Sequence, residues 1–136
     1  MTNLNNLYEV LDDEGIALDC FAMEEAESFS LIHKGNCIIV INPLVLKSNS
    51  DERVKLAHEI GHCKTGSFYN MYAKLDIRAK HERRADKWAI KKLIPRDKLI
   101  NAYKNGICDN SELAEHFGIT EDFLQTALKY YNEHVA

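Results

Sequence analysis

The sequence predicts an α+β fold in a single domain, with a small three-stranded, mainly antiparallel sheet packed against helices and a helical element at the C-terminus. Short runs rich in β-branched residues are confined to the first third of the chain, and amphipathic helical patterns fill the rest. The 136 residues, 46% of them hydrophobic, suffice for one core, and no Pro-, Gly- or Ser-rich linker divides them. We therefore expect one domain over 1–136, with a helix and the sheet over about 1–47, central helices over 48–95 and the C-terminal element over 96–136.

The N-terminal part is predicted to contain one helix and three strands. A weak apolar periodicity indicates a short helix from Leu4 to Leu11. Runs of apolar and β-branched residues then predict strands over 16–20, 29–33 and 36–41. Gly35 lies in the turn between the last two strands, and the pair Asn42-Pro43 ends the sheet.

The first central helix is predicted to be mostly buried. Ser50 can cap its N-terminus, and Asp51 and Glu52 lie in its first turn, where the helix dipole favours negative charge. Apolar and small residues then recur at the spacing of a buried helix, at Val54, Leu56, Ala57, Ile60 and Gly61.

Within this helix, the segment from His58 to His62 has the form HExxH. The spacing of four residues places the two imidazoles on one face, where both can bind one zinc ion while Glu59 reaches a water molecule on that ion. The alternative is a pair of core histidines that share this spacing by chance. That alternative would leave two imidazoles and a carboxylate to be satisfied in a buried helix without a metal. The motif therefore predicts a zinc site with a catalytic glutamate.

A second amphipathic helix supplies the candidate third ligand. Its apolar stripe consists of Ala85, Trp88, Ala89 and Leu93. Glu82 lies 20 residues after His62, and Asp86 follows Glu82 by four positions, so both carboxylates face the same way. We predict that Glu82 binds the metal and that Asp86 accepts the spare N–H of a histidine ring. His81 is a rival ligand, but it points about 100° away from Glu82. The alternative is that both carboxylates are surface groups paired with nearby cations.

These motifs resemble those of the ImmA/IrrE family, small metallopeptidases that occur with prophages, mobile elements and stress-response regulators. The resemblance rests on LAHEIGH at 56–62, ERRADKWA at 82–89 and LIP at 93–95, which follow the order and the approximate spacing of the family's motifs. Trp88 stands where the family usually has Phe, and Ile94 where it usually has Met. The resemblance implies a minimal, zincin-like peptidase fold. It also implies proteolysis of a helix-turn-helix repressor, which releases the repressed genes.

The predicted chemistry is zinc-dependent hydrolysis of a peptide bond. One Zn²⁺ ion bound by His58, His62 and Glu82 would lower the pKa of a bound water to about 7 and polarise the scissile carbonyl. Glu59 would act as general base and then carry the proton to the leaving amine. The edge of the sheet could hold the substrate backbone as an extra strand. A further donor to the oxyanion could be Tyr69, Tyr72, His81 or Tyr103.

Two other functions remain open at this point. The first is a non-catalytic antirepressor that binds a regulator, although the intact Glu59 favours an enzyme. The second is a DNA-binding regulator, because residues 111–131 have a helix-turn-helix-like pattern. Residues 109–133 carry one Lys or Arg, Lys129, among the acidic residues Asp109, Glu112, Glu115, Glu121, Asp122 and Glu133. Since a DNA-binding surface presents cations to phosphates, we expect no direct binding to nucleic acid, and the two helices should pack on the core.

The sequence predicts a cytoplasmic location. The N-terminus lacks the basic start and apolar run of a signal peptide, and no apolar stretch of about 18 residues could span a membrane. No CxxC pair occurs among Cys20, Cys37, Cys63 and Cys108, so we expect free thiols in a reducing cytosol. The expected partner is a protein substrate, a helix-turn-helix repressor, and no membrane contact is expected.

Overall fold

The computed structural model describes residues 4–20, 28–68 and 74–134. In chain order, its elements are α1 (Leu4–Glu14), β1 (Ala17–Cys20), β2 (Ser28–His33), β3 (Asn36–Ile41), a 3₁₀ turn (Pro43–Val45), α2 (Asn49–Thr65), α3 (Leu75–Leu93), α4 (Arg96–Lys104), α5 (Asn110–Phe117) and α6 (Glu121–Glu133). The predicted α+β fold class is confirmed. Within these ranges, no helix has both the length and the apolar character needed to cross a bilayer.

The sheet is mixed, with β3 in the centre. β3 pairs in parallel with β1 and antiparallel with β2, which gives the order β1-β3-β2. The antiparallel expectation therefore holds for the hairpin of β2 and β3, whose short turn at Lys34 and Gly35 reverses the chain. It does not hold for β1, whose direction is set by packing rather than by a turn. Consequently β2 is an edge strand of the sheet.

One face of the sheet packs on α2. Ile39 and Ile41 of β3 are 0% and 4% exposed and belong to the hydrophobic core. Ser28 and Ser30 of β2 pair with Ile41 and Ile39 respectively. Because directly paired residues project from the same face of a sheet, both serines lie on the side of β2 that faces α2.

A disulfide between Cys37 and Cys63 joins β3 to α2, with 5.9 Å between the two Cα atoms. The prediction of free thiols is therefore wrong for these two cysteines, whereas Cys20 and Cys108 are free and exposed. The bonded cysteines are 26 residues apart in sequence and share no motif. Only the packing of β3 on α2 brings their side chains together.

The ends of α2 are fixed by specific caps. The side chain of Ser48 accepts a hydrogen bond from the N–H of Asp51 at 3.1 Å, so the N-cap is Ser48. The prediction of Ser50 as N-cap is wrong by two residues, since Ser50 lies inside the first turn. At the other end, Gly66 takes the left-handed conformation (φ 62°). The chain therefore turns back, and the N–H of Ser67 donates to a carbonyl of the last helical turn.

The two C-terminal helices contribute to the same core as α2, with Leu113, Phe117 and Leu124 fully or almost fully buried. Arg53 of α2 is 6% exposed, and its Nη1 atom donates to the carbonyl oxygens of Phe117 and Gly118 at 2.6 Å each. These carbonyls end α5, where a cation is favoured by the helix dipole. Burial lowers the pKa of Arg53. The helix-turn-helix-like element is thus anchored to the helix that carries the HExxH motif.

Candidate metal centre

The HExxH segment lies in the middle of α2, as its helical spacing predicts. His58 and His62 are one turn apart, and their Nε2 atoms approach to 3.2 Å. The rings meet edge to face, with 4.8 Å between their centroids. Both Nε2 atoms therefore point to the same place beside the helix.

Glu82 of α3 completes this group. Its Oε2 atom lies 2.7 Å from Nε2 of His58, and its Oε1 atom lies 3.1 Å from Nε2 of His62. The three ligand atoms all lie within 4.8 Å of one another, and they are the group in the described part of the chain that could hold a metal ion. The sequence prediction placed Glu82 here in preference to His81, which is not a member of the group.

The second ring nitrogen of each histidine has an acceptor of its own. Nδ1 of His58 lies 2.7 Å from Oδ1 of Asp86, and Nδ1 of His62 lies 2.6 Å from the backbone oxygen of Ser67. Because an oxygen acceptor keeps the proton on Nδ1, the Nε2 lone pair of each ring is directed at Glu82. The 2.7 Å between Nε2 of His58 and the Glu82 oxygen fits a hydrogen bond from a protonated ring, and without that proton a lone pair would face a carboxylate that a metal ion can also neutralise. The donor set therefore fits a bound metal ion, with a proton as its competitor.

The raised pKa values of the two histidines also indicate that their surroundings favour a positive charge. Burial opposes protonation of His58, but hydrogen bonds to Asp86 and Glu82 and their negative charges outweigh it and raise the pKa of His58 to about 10. Burial and the charge of His58 oppose protonation of His62, yet bonds to Glu82 and Ser67 raise the pKa of His62 as well. In the absence of metal, protons would therefore occupy the positions that a divalent ion would take.

Glu59 lies beside this group but is not one of its members. The side chain is 6% exposed, and its Oε2 atom accepts a hydrogen bond from the hydroxyl of Ser28 at 3.1 Å. Glu59 projects from the helix next to His58 and lines the same groove. A buried carboxylate next to a candidate metal position can exchange protons with a water molecule there.

The centre opens into a groove of about 770 Å³. One wall is the edge strand β2, from Ser28 to Ile32, and the opposite side is formed by α2, α3 and the segment after α2. Apolar residues that line the groove are Phe29, Leu31, Ile32, Val54 and Phe68, and Lys55 also lines it. A groove beside the edge strand of a sheet can accommodate an extended peptide chain.

The structure describes two of the four residues that were predicted as possible oxyanion donors. Tyr69 and Tyr72 lie outside the described residues. His81 on α3 and Tyr103 on α4 are described, and neither lines the groove. Sequence reasoning missed two residues that contact the site, Ser67 and Ser28. Gly66 could have indicated Ser67, since a glycine at the C-terminal cap turns the chain back toward the end of the helix. No feature of the sequence indicated Ser28.

The family model described as the IrrE N-terminal-like domain, of the peptidase M78 family, matches residues 12–129. These residues include the whole sheet, the helices α2 to α5 and most of α6. No curated protein matches the chain.

Proposed function

The chain belongs to the peptidase M78 family of IrrE N-terminal-like domains, and we propose that it is a zinc-dependent endopeptidase that cleaves a helix-turn-helix repressor. The observation that carries the proposal is the convergence of His58 Nε2, His62 Nε2 and the Glu82 carboxylate in a groove that also holds Glu59. Two neutral imidazoles and one carboxylate are the ligand set of a catalytic zinc site that retains an open position.

The roles of the ligands follow from their contacts. His58, His62 and Glu82 would hold one zinc ion, which when bound supplies a Lewis acid that polarises the scissile carbonyl and lowers the pKa of water to about 7. Asp86 and the Ser67 carbonyl would fix the ring orientations and keep each Nε2 atom free of a proton. These two acceptors also increase the basicity of the imidazoles.

Glu59 would move the proton during hydrolysis. It is adjacent to the metal group without belonging to it, so its carboxylate remains available to a water molecule. In the proposed reaction, Glu59 removes a proton from the attacking water as the new C–O bond forms. It then delivers that proton to the nitrogen of the leaving amine as the C–N bond breaks.

The substrate would be an extended segment of a protein. Among the described residues, the outer edge of β2 pairs with no further strand and this strand lines the groove, so a peptide could add to the sheet as a further strand. Main-chain hydrogen bonds of this kind hold a peptide in register whatever its sequence. The apolar side chains of the groove would then contact alternate side chains of the substrate.

The repressor as substrate is supported by the resemblance of the motifs at 56–62, 82–89 and 93–95 to the ImmA/IrrE family. Under this proposal the protein acts in the cytoplasm, where cleavage derepresses prophage, mobile-element or stress genes. Direct binding to nucleic acid is not part of the proposal, because acidic residues predominate in the C-terminal helices. The competing function is an antirepressor that binds the regulator without cleaving it.

One experiment separates these two functions. The purified, zinc-loaded protein is incubated with the repressor encoded beside it, and products are identified by mass spectrometry. We expect cleavage at a defined bond that disappears in Glu59→Gln, while zinc content stays equal to that of the wild type. Release of the repressor from its operator without cleavage, unchanged by Glu59→Gln, would instead establish the antirepressor.

A further inference from the structure

Ser28 is the first residue of β2, and its hydroxyl contacts the candidate general base directly. The Oγ atom lies 3.1 Å from Oε2 of Glu59, across 31 positions of sequence. Ser28 pairs with Ile41 of β3, and the face that these two residues share is packed on α2. The hydroxyl is therefore held in place by the sheet rather than by a free loop.

The hydrogen bond from Ser28 is important because the Glu59 carboxylate is buried. Glu59 is 6% exposed, so its two oxygens have little access to bulk water. A glutamate side chain has three rotatable bonds, and a general base must stay within hydrogen-bond reach of the proton that it removes. One oxygen, Oε2, takes the Ser28 hydrogen bond, and the carboxylate has a second oxygen with which to meet a water molecule.

We propose that Ser28 is a positioning residue for the peptidase reaction, which holds the Glu59 carboxylate at a fixed place beside the metal group. The inference rests on the proposed function, because it assigns a task to Ser28 only if Glu59 is the base. Ser28 also belongs to the edge strand that would receive the substrate backbone. The same strand therefore sets the position of the peptide and the position of the base relative to each other.

A purely structural role for Ser28 would have a different consequence. In that case the hydroxyl only satisfies a buried carboxylate, and its removal lowers stability without a specific effect on turnover. Ser48→Ala provides a matched comparison, since it removes a serine hydroxyl from the N-cap of the same helix. Ser48 lies outside the groove and makes no contact with Glu59.

The kinetic test compares the wild type with Ser28→Ala, Ser28→Thr and Ser48→Ala on a peptide that spans the repressor cleavage site. Misplacement of a catalytic group by a fraction of an ångström to about 1 Å costs up to about 100-fold in rate. We expect Ser28→Ala to lower kcat about 10- to 100-fold, with KM changed less than about twofold and zinc content unchanged. Ser28→Thr, which keeps the hydroxyl, should restore most of kcat, and Ser48→Ala should lower the melting temperature with kcat retained. Equal kcat in Ser28→Ala and wild type would overturn the proposal.

A second measurement does not depend on turnover. Thermal unfolding of chelator-treated wild type, Ser28→Ala, Glu59→Ala and the double variant forms a double-mutant cycle. Because each single variant breaks the same hydrogen bond, we expect the double variant to lose less stability than the sum of the two. Strictly additive losses would show that the two side chains do not interact and would overturn the positioning role.

The outcomes also separate this inference from the proposed function. Cleavage that depends on Glu59 but not on Ser28 would support the peptidase function and exclude the positioning role of Ser28. If the wild type does not cleave the repressor, the peptidase function is excluded. The positioning role of Ser28 is then excluded as well, even if the unfolding cycle shows that Ser28 and Glu59 are coupled.

Discussion

Gly61 of α2 lies directly against the backbone of Ala85 in α3. A Cβ atom at Gly61 would be 2.5 Å from the carbonyl oxygen of Ala85 and 3.0 Å from its Cα atom. The glycine inside the HExxH segment therefore allows the two helices to approach closely. Glu82 precedes Ala85 by one helical turn, so this approach is also what brings its carboxylate to the two histidines.

We predict that Gly61→Ala weakens both the fold and metal binding. The added methyl group meets backbone atoms that cannot rotate away, so α3 must shift, at a cost of about 1–3 kcal/mol in the free energy of unfolding. The shift would move Glu82 away from the histidines. Denaturant unfolding and zinc titration measure the two effects, with Lys87→Ala on the exposed side of α3 as the control. Full zinc affinity in Gly61→Ala would contradict the proposed link.

Removal of the third ligand should abolish tight metal binding. Glu82→Ala leaves two imidazoles, which is fewer than the three protein ligands of a catalytic zinc site. After dialysis, we expect the zinc content to fall from about one ion per chain to a small fraction of that in Glu82→Ala. His81→Ala should retain the metal, because His81 is not part of the group. Equal zinc content in Glu82→Ala and wild type would exclude Glu82 as a ligand.

The raised pKa of His58 predicts how the stability of the metal-free protein depends on pH. The pKa is raised from 6.5 to about 10 on folding. The protonated ring therefore contributes stability that is fully present below about pH 6.5 and is lost as the pH rises through about 10. The free energy of unfolding of the chelator-treated protein should fall over this interval. The zinc-loaded protein should lose less stability, because the metal replaces the proton.

Asp86→Asn is the matched control for this pH dependence. The variant removes the negative partner of Nδ1 while keeping a side chain of similar size, so the pKa of His58 rises less on folding. Urea unfolding of both chelator-treated proteins from about pH 6 to about pH 10 gives the comparison. A steeper loss in Asp86→Asn than in the wild type would contradict the assignment of the effect to His58.

Reduction of the Cys37–Cys63 disulfide should lower stability. A crosslink that closes a loop with a sequence separation of 26 restricts the unfolded chain, and its loss costs about 3 kcal/mol in the free energy of unfolding. Guanidinium unfolding with and without a phosphine reductant, which avoids zinc chelation by dithiols, measures the difference. The Cys20→Ser/Cys108→Ser variant should show the same difference, since these exposed cysteines are unpaired. Four reactive thiols per unfolded chain without reductant would contradict the crosslink.

Local periodicity in the sequence was sufficient to place the elements that carry the chemistry. The spacing of His58 and His62 requires only a helix, and the same is true of Glu82 and Asp86 on α3. Helices form from interactions over three or four positions, so the sequence of one segment determines which side chains share a face. The strands were also located to within one residue at each end, because an alternating or apolar run is a local feature.

The tertiary structure decided every relationship between segments that are distant in the chain. The parallel pairing of β1 with β3, the Cys37–Cys63 bond and the contact of Ser28 with Glu59 join residues about 20 to 30 positions apart. No local pattern encodes such contacts, because they depend on which faces are buried against each other. The sequence by itself therefore determined which side chains share the helix faces that meet at the candidate centre. Only packing decided that α3 approaches α2 at Gly61, and that Ser28 of an edge strand contacts Glu59.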